Sequence, residues 1–485
     1  MLAPGVQVEH ADFGRGAVVS VLGAEAEVDF FGEVMAVKTA ELTPIATSKP
    51  KAVVKAEAMS ESALAFRKAF EAVNLGVTPS APEQLIGLTI DGAKEERRIV
   101  RWLERAPSEG LCKVFFGGYG TGKSHHLQLV KATALRDGWV TAFVEFDPKA
   151  ADPAKPQLVY RELMLGLEFP TREDGSQVRD FFGLVKEVRD HWAEVRSGKL
   201  LKSSPWFSET FRILQNFAHS EDDEYRQAMG WLPAFSKDAS ALKRFARSSG
   251  ISPKVLPKMP VSKETAEIYV FHLVVLNEVC RSLGYKGLAL ILDEAEHVRG
   301  YNVRRKERAN NLFDLLARAA HAPVPRDAPP ARNDHELRIP EFWKTGPHFA
   351  LFVGLTEGDT FVDPDLPLRD ACVFLHDDND RIMLKPPQPA AYRGWCDEFF
   401  KQCARHLGPL PVLGEPDERA RIVAVLGDAF SELTPAERVL RIWIKLATLA
   451  PAILLCGRVV TVDSLAAELK AACDAATGLH FPWDS

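Results

Sequence analysis

Paired cysteines, clustered histidines and long apolar runs are all missing from this sequence. Its seven cysteines, at 112, 280, 372, 396, 403, 456 and 473, include no CxxC pair, and their number is odd. That spacing excludes a zinc ribbon and a disulfide framework and fits a reducing cytoplasm. The most apolar tract, 442–456, is broken by Lys445 and Pro451 and is too short to span a bilayer. The first eight residues lack the basic and apolar regions of a secretory leader, so a soluble cytoplasmic protein is expected. A large excess of one charge is lacking too, since 60 Lys+Arg against 66 Asp+Glu leave a net charge of −6. A coat that grips nucleic acid by overall charge is thereby excluded, although a local basic groove is not.

What is present is globular material. Hydrophobic residues at 46% and charged residues at 26% exclude wholesale disorder, and 485 residues exceed one core. The expectation from length is about three domains. Residues 1–46 read as short alternating strands separated by glycine turns, the pattern of a small, strongly bent β-barrel. Residues 47–59, rich in Lys, Ala and Pro, read as a linker. Residues 60–380 follow as an α/β core with a parallel sheet: an amphipathic helix over 94–106, strand 112–118, a glycine-rich turn, a helix and strand 140–147. A helical insertion interrupts this core at about 156–275, and strands resume at 286–296 and 348–358. Residues 381–485 read as helical. The fold class expected is multidomain: N-terminal β-barrel, central α/β core, C-terminal helical domain.

Gly117-Gly118-Tyr119-Gly120-Thr121-Gly122-Lys123-Ser124 fills every position of GxxxxGK[ST], after an apolar strand and at the start of a helix. Glycines let the backbone wrap phosphates so that successive N–H groups point inward, with the helix N-terminus adding a favourable field. Lys123 is then placed for the β- and γ-phosphates, and the Ser124 hydroxyl for Mg²⁺. The bland alternative, a βα turn with a chance Lys-Ser, does not explain a complete motif in this context. Strand 288–292 ends in Asp293-Glu294, which puts one carboxylate near the Mg²⁺ shell and a second beside the attacking water. No guanine-reading NKxD follows, so ATP is expected over GTP.

Strand 348–356 ends in Thr356, read either as a γ-phosphate sensor on a strand between the other two or simply as a strand cap. His125 and His126 have no metal-ligand spacing and read as packing against the sheet. Arginines that could serve a neighbouring subunit in trans are Arg304, Arg305, Arg308 and, as first choice, Arg369. Basic groups cluster at Lys243, Arg244, Arg247, Lys254 and Lys258, and again at Arg299, Arg304, Arg305, Lys306 and Arg308. Each cluster reads either as a track for a nucleic-acid backbone or as a solvated helix face. The N-terminal segment is acidic and better suited to a protein partner than to phosphates.

Two resemblances rest on these residues. Val8-Glu9-His10, Phe13-Gly14-Arg15-Gly16, Val18-Val19, Val28-Asp29-Phe30 and Leu42-Thr43-Pro44 resemble the Tudor/SH3-like module at the C-terminus of UvrD/PcrA-type helicases, and are similar to CarD-type RNA-polymerase-binding modules. That resemblance implies an interaction platform for a helicase or another defence-system protein. From 66 to 164, and again around Asp293, the chain resembles the ATP-binding proteins of BREX-type phage-defence loci, through FRKAFEAVNLGVTP, FFGGYGTGKSHHLQLV, VTAFVEFD and KPQLVYRELM. It implies an AAA+/Orc-like P-loop ATPase with a helical lid, using Lys123, Ser124, Asp293 and Glu294. In the lid, Arg438 and Arg441 both stand where such relatives carry a γ-phosphate-contacting arginine. The function expected is an ATP-hydrolysing motor or switch in antiviral defence, acting as a homo-oligomer on DNA or a DNA-bound complex. The alternative is a nucleotide-stabilised scaffold that recruits a DNA-acting partner.

Overall fold

Alternating apolar residues in the first 44 positions build a sheet whose inner face is Val8, Val18, Ala26, Val28, Val37 and Leu42. The computed structural model describes residues 7–10, 14–30, 33–44, 60–75, 79, 87–172, 175–217, 223–236, 238–257, 266–321, 339–356, 380–434, 437–456 and 461–477. The chain divides into two units, Met1–Glu61 and Ser62–Ser485.

In the first unit, β1 (Gln7–His10), β2 (Gly14–Leu22), β3 (Glu25–Phe30), β4 (Glu33–Lys38) and β5 (Leu42–Pro44) form one antiparallel sheet. Its order is β4-β3-β2-β1-β5. Consecutive strands are neighbours up to β4, and the short β5 returns to the free side of β1, with Glu9 opposite Thr43. A register shift between Val18 and Ser20 bends β2, as a bulge does.

The second unit is built on a six-stranded sheet. Its strands are β6 (Leu111–Gly117), β7 (Val140–Glu145), β8 (Leu167–Glu168), β9 (Leu288–Asp293), β10 (Ala350–Thr356) and β11 (Arg381–Met383). The order is β11-β6-β10-β9-β7-β8, parallel except for the antiparallel pair β7–β8. The three central strands are buried on both faces, which is why they read as continuous apolar runs. Successive residues alternate between two cores: Leu288, Leu290 and Leu292 face one, Ala289 and Ile291 the other.

The second of these faces is covered by α2 (Gly92–Glu109) and α3 (Lys123–Arg136), which follow α1 (Glu61–Leu75) in the chain. The opposite face packs on α4 (Pro156–Leu165), α5 (Ala266–Ser282) and α6 (Val303–Ala320), together with the short helices between 181 and 248. A separate helical core joins α7 (Pro389–His406), α8 (Pro416–Glu432), α9 (Leu440–Leu455) and α10 (Val462–Thr477). Helix α1 belongs to this last core: Phe70 stacks on Phe399 with ring centroids 6.3 Å apart. Residues at the start of the α/β segment thus pack on the C-terminal helices. Conversely, residues 381–383, which read as the start of the helical segment, supply edge strand β11. No helix among the described residues is long and apolar enough to cross a membrane.

Candidate functional site

Two glycines with positive φ, Gly120 at 76° and Gly122 at 96°, turn the chain from β6 into α3. L side chains rarely adopt that backbone, so the curl of the loop depends on them. Gly120 is also pressed from outside, because a Cβ there would lie 2.8 Å from Val439 Cγ1. Thr121 braces the loop by donating its hydroxyl to the Gly118 carbonyl at 2.9 Å. Lys123 is nearly buried, and its ammonium donates to the Gly117 and Gly118 carbonyls at 3.0 and 3.1 Å. Ser124, one residue into the helix, is exposed toward an open cleft of about 710 Å³. Tyr119, at the loop tip, is 65% exposed.

Parallel pairing sets the other groups around this loop. Strand β10 lies between β6 and β9, with Thr356 in register with Gly117. Asp293 ends β9, is 3% exposed, and takes hydrogen bonds from the Ser124 hydroxyl and from the Glu294 N–H. Burial pushes its carboxyl above the ordinary range while those two hydrogen bonds pull it down. Glu294 breaks from the strand at φ 59°, ψ 34°, the left-handed region, at a cost of about 1–2 kcal/mol for a residue with a Cβ. Its half-buried carboxyl lines the cleft and is raised by burial first, then by the charges of Glu296 and Asp293. Glu294 and Asp293 are therefore where strand order and turn geometry bring them, beside the glycine-rich loop.

Thr356 does not stand alone at its strand end. Its hydroxyl donates to Glu296 Oε1, and the other carboxylate oxygen of Glu296 is buried with no hydrogen-bond partner among the described residues. Glu296 is not among the residues that the sequence motifs pick out. The signal available for it was a third acid in Asp293-Glu294-Ala295-Glu296.

The histidines divide. His126 packs over Phe115 of β6, ring centroids 6.0 Å apart, as expected, and its Nδ1 lies 2.9 Å from the Gly122 carbonyl. His125 instead forms part of the cleft wall, with Nε2 2.6 Å from Thr89 Oγ1. Burial, with His126 beside it, pulls its imidazole down to about 3, so it is neutral at physiological pH.

Among the arginines, Arg305 is engaged within the chain. It donates to the fully buried Asp152 at 2.9 Å and lies 3.8 Å over the Tyr301 ring. Arg304 is exposed, and Arg369 lies outside the described residues, as do Lys258 and the side chain of Arg299. Of the two C-terminal candidates, Arg438 covers the Phe430 ring at 5.3 Å, whereas Arg441 reaches the loop. Arg441 donates to Tyr119 Oη at 2.6 Å, and its backbone N–H to the Gly120 carbonyl at 3.2 Å. Lys243, Arg247 and Lys254 are exposed, while Arg244 pairs with Glu224.

Among the described residues no group of three or more His, Cys, Asp or Glu is placed to hold a metal by itself. The hydroxyl of Ser124 and the carboxylate of Asp293, hydrogen-bonded to each other beside the glycine-rich loop, are a donor set that fits Mg²⁺, which keeps several waters. Six described cysteines carry free thiols, five of them buried.

A family model described as BREX system ATP-binding protein BrxC/D matches residues 64–321, more than half of the chain. No match was found among curated proteins or among solved structures.

Proposed function

The chain belongs to the BREX system ATP-binding protein BrxC/D family, ATP-binding proteins of phage defence, and from that premise we propose that it hydrolyses ATP as an AAA+-type switch. The observation that carries the reading is the meeting of Ser124, Asp293 and Glu294 at one loop, with Lys123 beside them. In this reading the N–H groups of the loop and Lys123 hold the β- and γ-phosphates, and Ser124 with Asp293 holds Mg²⁺, which supplies charge neutralisation on the phosphates. Glu294 orients a water and takes one of its protons. The water oxygen joins the γ-phosphorus as the bond to the bridging oxygen breaks, giving ADP and inorganic phosphate.

The strand order β11-β6-β10-β9-β7 supports an AAA+ core, because it sets a polar strand end, Thr356, between the loop strand and the acid-bearing strand. The helices after residue 389 act as the lid, and Arg441 is the lid arginine that exchanges Tyr119 for phosphate. A subunit in trans would offer Arg304 or Arg369. The N-terminal sheet, read as a Tudor/SH3-like platform, recruits a defence-system partner such as a helicase. Exposed Lys243, Arg247 and Lys254 are the groups through which DNA would be touched.

The test is steady-state hydrolysis by wild type and Glu294→Gln, with and without DNA at two salt concentrations. Loss of turnover with retained ATP binding in the variant supports the ATPase. Equal rates would remove Glu294 from its role and favour the scaffold reading. A DNA stimulation that falls steeply with salt supports direct phosphate contact.

A further inference from the structure

We propose that Glu296 is a positioning residue for hydrolysis, holding the Thr356 hydroxyl with its proton turned away from the nucleotide. The inference rests on the ATPase reading of the site and names a part of it that the loop and Asp293-Glu294 do not contain.

Three observations carry it. The Thr356 hydroxyl donates to Glu296 Oε1. Thr356 is level with Gly117, at the start of the phosphate loop, and both Thr356 and Glu296 line the same cleft as Lys123 and Glu294. Glu296 Oε2 is buried and has no hydrogen-bond partner among the described residues, an unfavourable arrangement for a carboxylate oxygen. The left-handed turn at Glu294 supplies the geometry, because it swings the chain out of β9 so that residues 294 and 296 both face the cleft.

A hydroxyl has one proton and two acceptor lone pairs. While that proton is committed to a carboxylate, Thr356 has none to give a γ-phosphate oxygen. What it presents to the cleft is an acceptor, and the group in the reaction with protons to give is the attacking water. Thr356 and Glu294 would then hold the two protons of one water, which fixes its oxygen lone pair toward phosphorus. Glu296 touches neither water nor nucleotide in this scheme. Its work is to fix the Thr356 rotor, and orientation of this kind appears in kcat rather than in ground-state binding.

The experiment measures kcat, KM and the directly titrated affinity for Mg·ATP and Mg·ADP in the full chain, for wild type, Thr356→Val, Thr356→Ser, Glu296→Ala, Glu296→Gln and the Val/Ala double variant. Thr356→Val and Glu296→Ala are expected to lower kcat at least about tenfold, with ATP affinity within about threefold of wild type. The double variant should be no slower than the worse single, because the pair acts as one unit. Glu296→Gln and Thr356→Ser should recover to within about fivefold of wild type, since an amide oxygen also accepts the proton and serine also supplies it. If Glu296→Ala fails to fold, the isosteric Thr356→Val against Glu296→Gln and Thr356→Ser carries the comparison. The inference is overturned if Thr356→Val costs ATP affinity but not ADP affinity, which would make Thr356 a phosphate donor. It is also overturned if Glu296→Gln is as slow as Glu296→Ala, or if the losses multiply. A wild-type chain that binds ATP without hydrolysing it overturns the ATPase reading itself, a separate and recognisable result.

Discussion

Asp293 and Gly354 face each other across neighbouring strands so closely that a Cβ on Gly354 would lie 2.6 Å from Asp293 Oδ1. The same Cβ would lie 2.9 Å from Leu127 Cδ1, in the first turns of α3. Gly354 is therefore the gap into which the acid fits. Gly354→Ala should displace the carboxylate from Ser124, weaken Mg·ATP at least tenfold and destabilise the fold by about 1–3 kcal/mol, since one methyl has nowhere to go. Nucleotide titration and denaturant unfolding check it; unchanged affinity would mean that Asp293 does not need its present position.

Glu294 trades stability for placement. Its left-handed backbone and its neighbours Asp293 and Glu296 both act against the folded state. Glu294→Gly should raise stability by about 1 kcal/mol while abolishing hydrolysis. A variant that loses stability would show that the carboxyl makes a net favourable contact.

Glu267, in the first turn of α5, is 8% exposed, and burial raises its carboxyl from 4.5 to about 7. The sign follows from the raised value. Below the ordinary carboxylate range the group is protonated in folded and unfolded chains alike; as pH climbs from about 4.5 to about 7 the unfolded chain releases the proton while burial makes the folded chain keep it, so stability is lost across that window. Glu267→Gln should match wild type near pH 4 and exceed it above pH 7, by on the order of 2 kcal/mol. Parallel stability curves across that range would refute the burial argument.

The two candidate lid arginines should separate by readout. Arg441→Ala is expected to weaken ATP severalfold with ADP little changed, because Arg441 alone of the pair reaches the loop. Arg438→Ala should leave nucleotide affinity alone and cost about 1 kcal/mol of stability through lost cover of Phe430. The reverse pattern would exchange their assignments.

The glycine-rich turn at 117–124 and the strand end at Asp293-Glu294 are legible as structure because each is a local string after an apolar run. Thr356 was legible as a polar strand end, but its partner Glu296 lies sixty positions earlier and meets it only through the β9–β10 neighbourhood. Strands β8 and β11, of two and three residues, are too short for periodicity to register. Helix α1 was legible as a helix, yet Phe66 and Phe70 give no sign in sequence that they pack beside residues more than three hundred positions away. Arg305 looked like an exposed cation until its partner appeared, the buried Asp152. Arg441 could be told from Arg438 only by where α9 begins relative to Gly120.

The central claim is that this loop holds a triphosphate, and calorimetric titration of the purified full chain tests it most directly. Mg·ATP is expected to saturate one site in wild type and Glu294→Gln, and to bind at least about a hundredfold more weakly to Lys123→Ala, whose ammonium is lost from the phosphates. Folded wild type that takes up no Mg·ATP, or Lys123→Ala that binds it as tightly, would contradict the account.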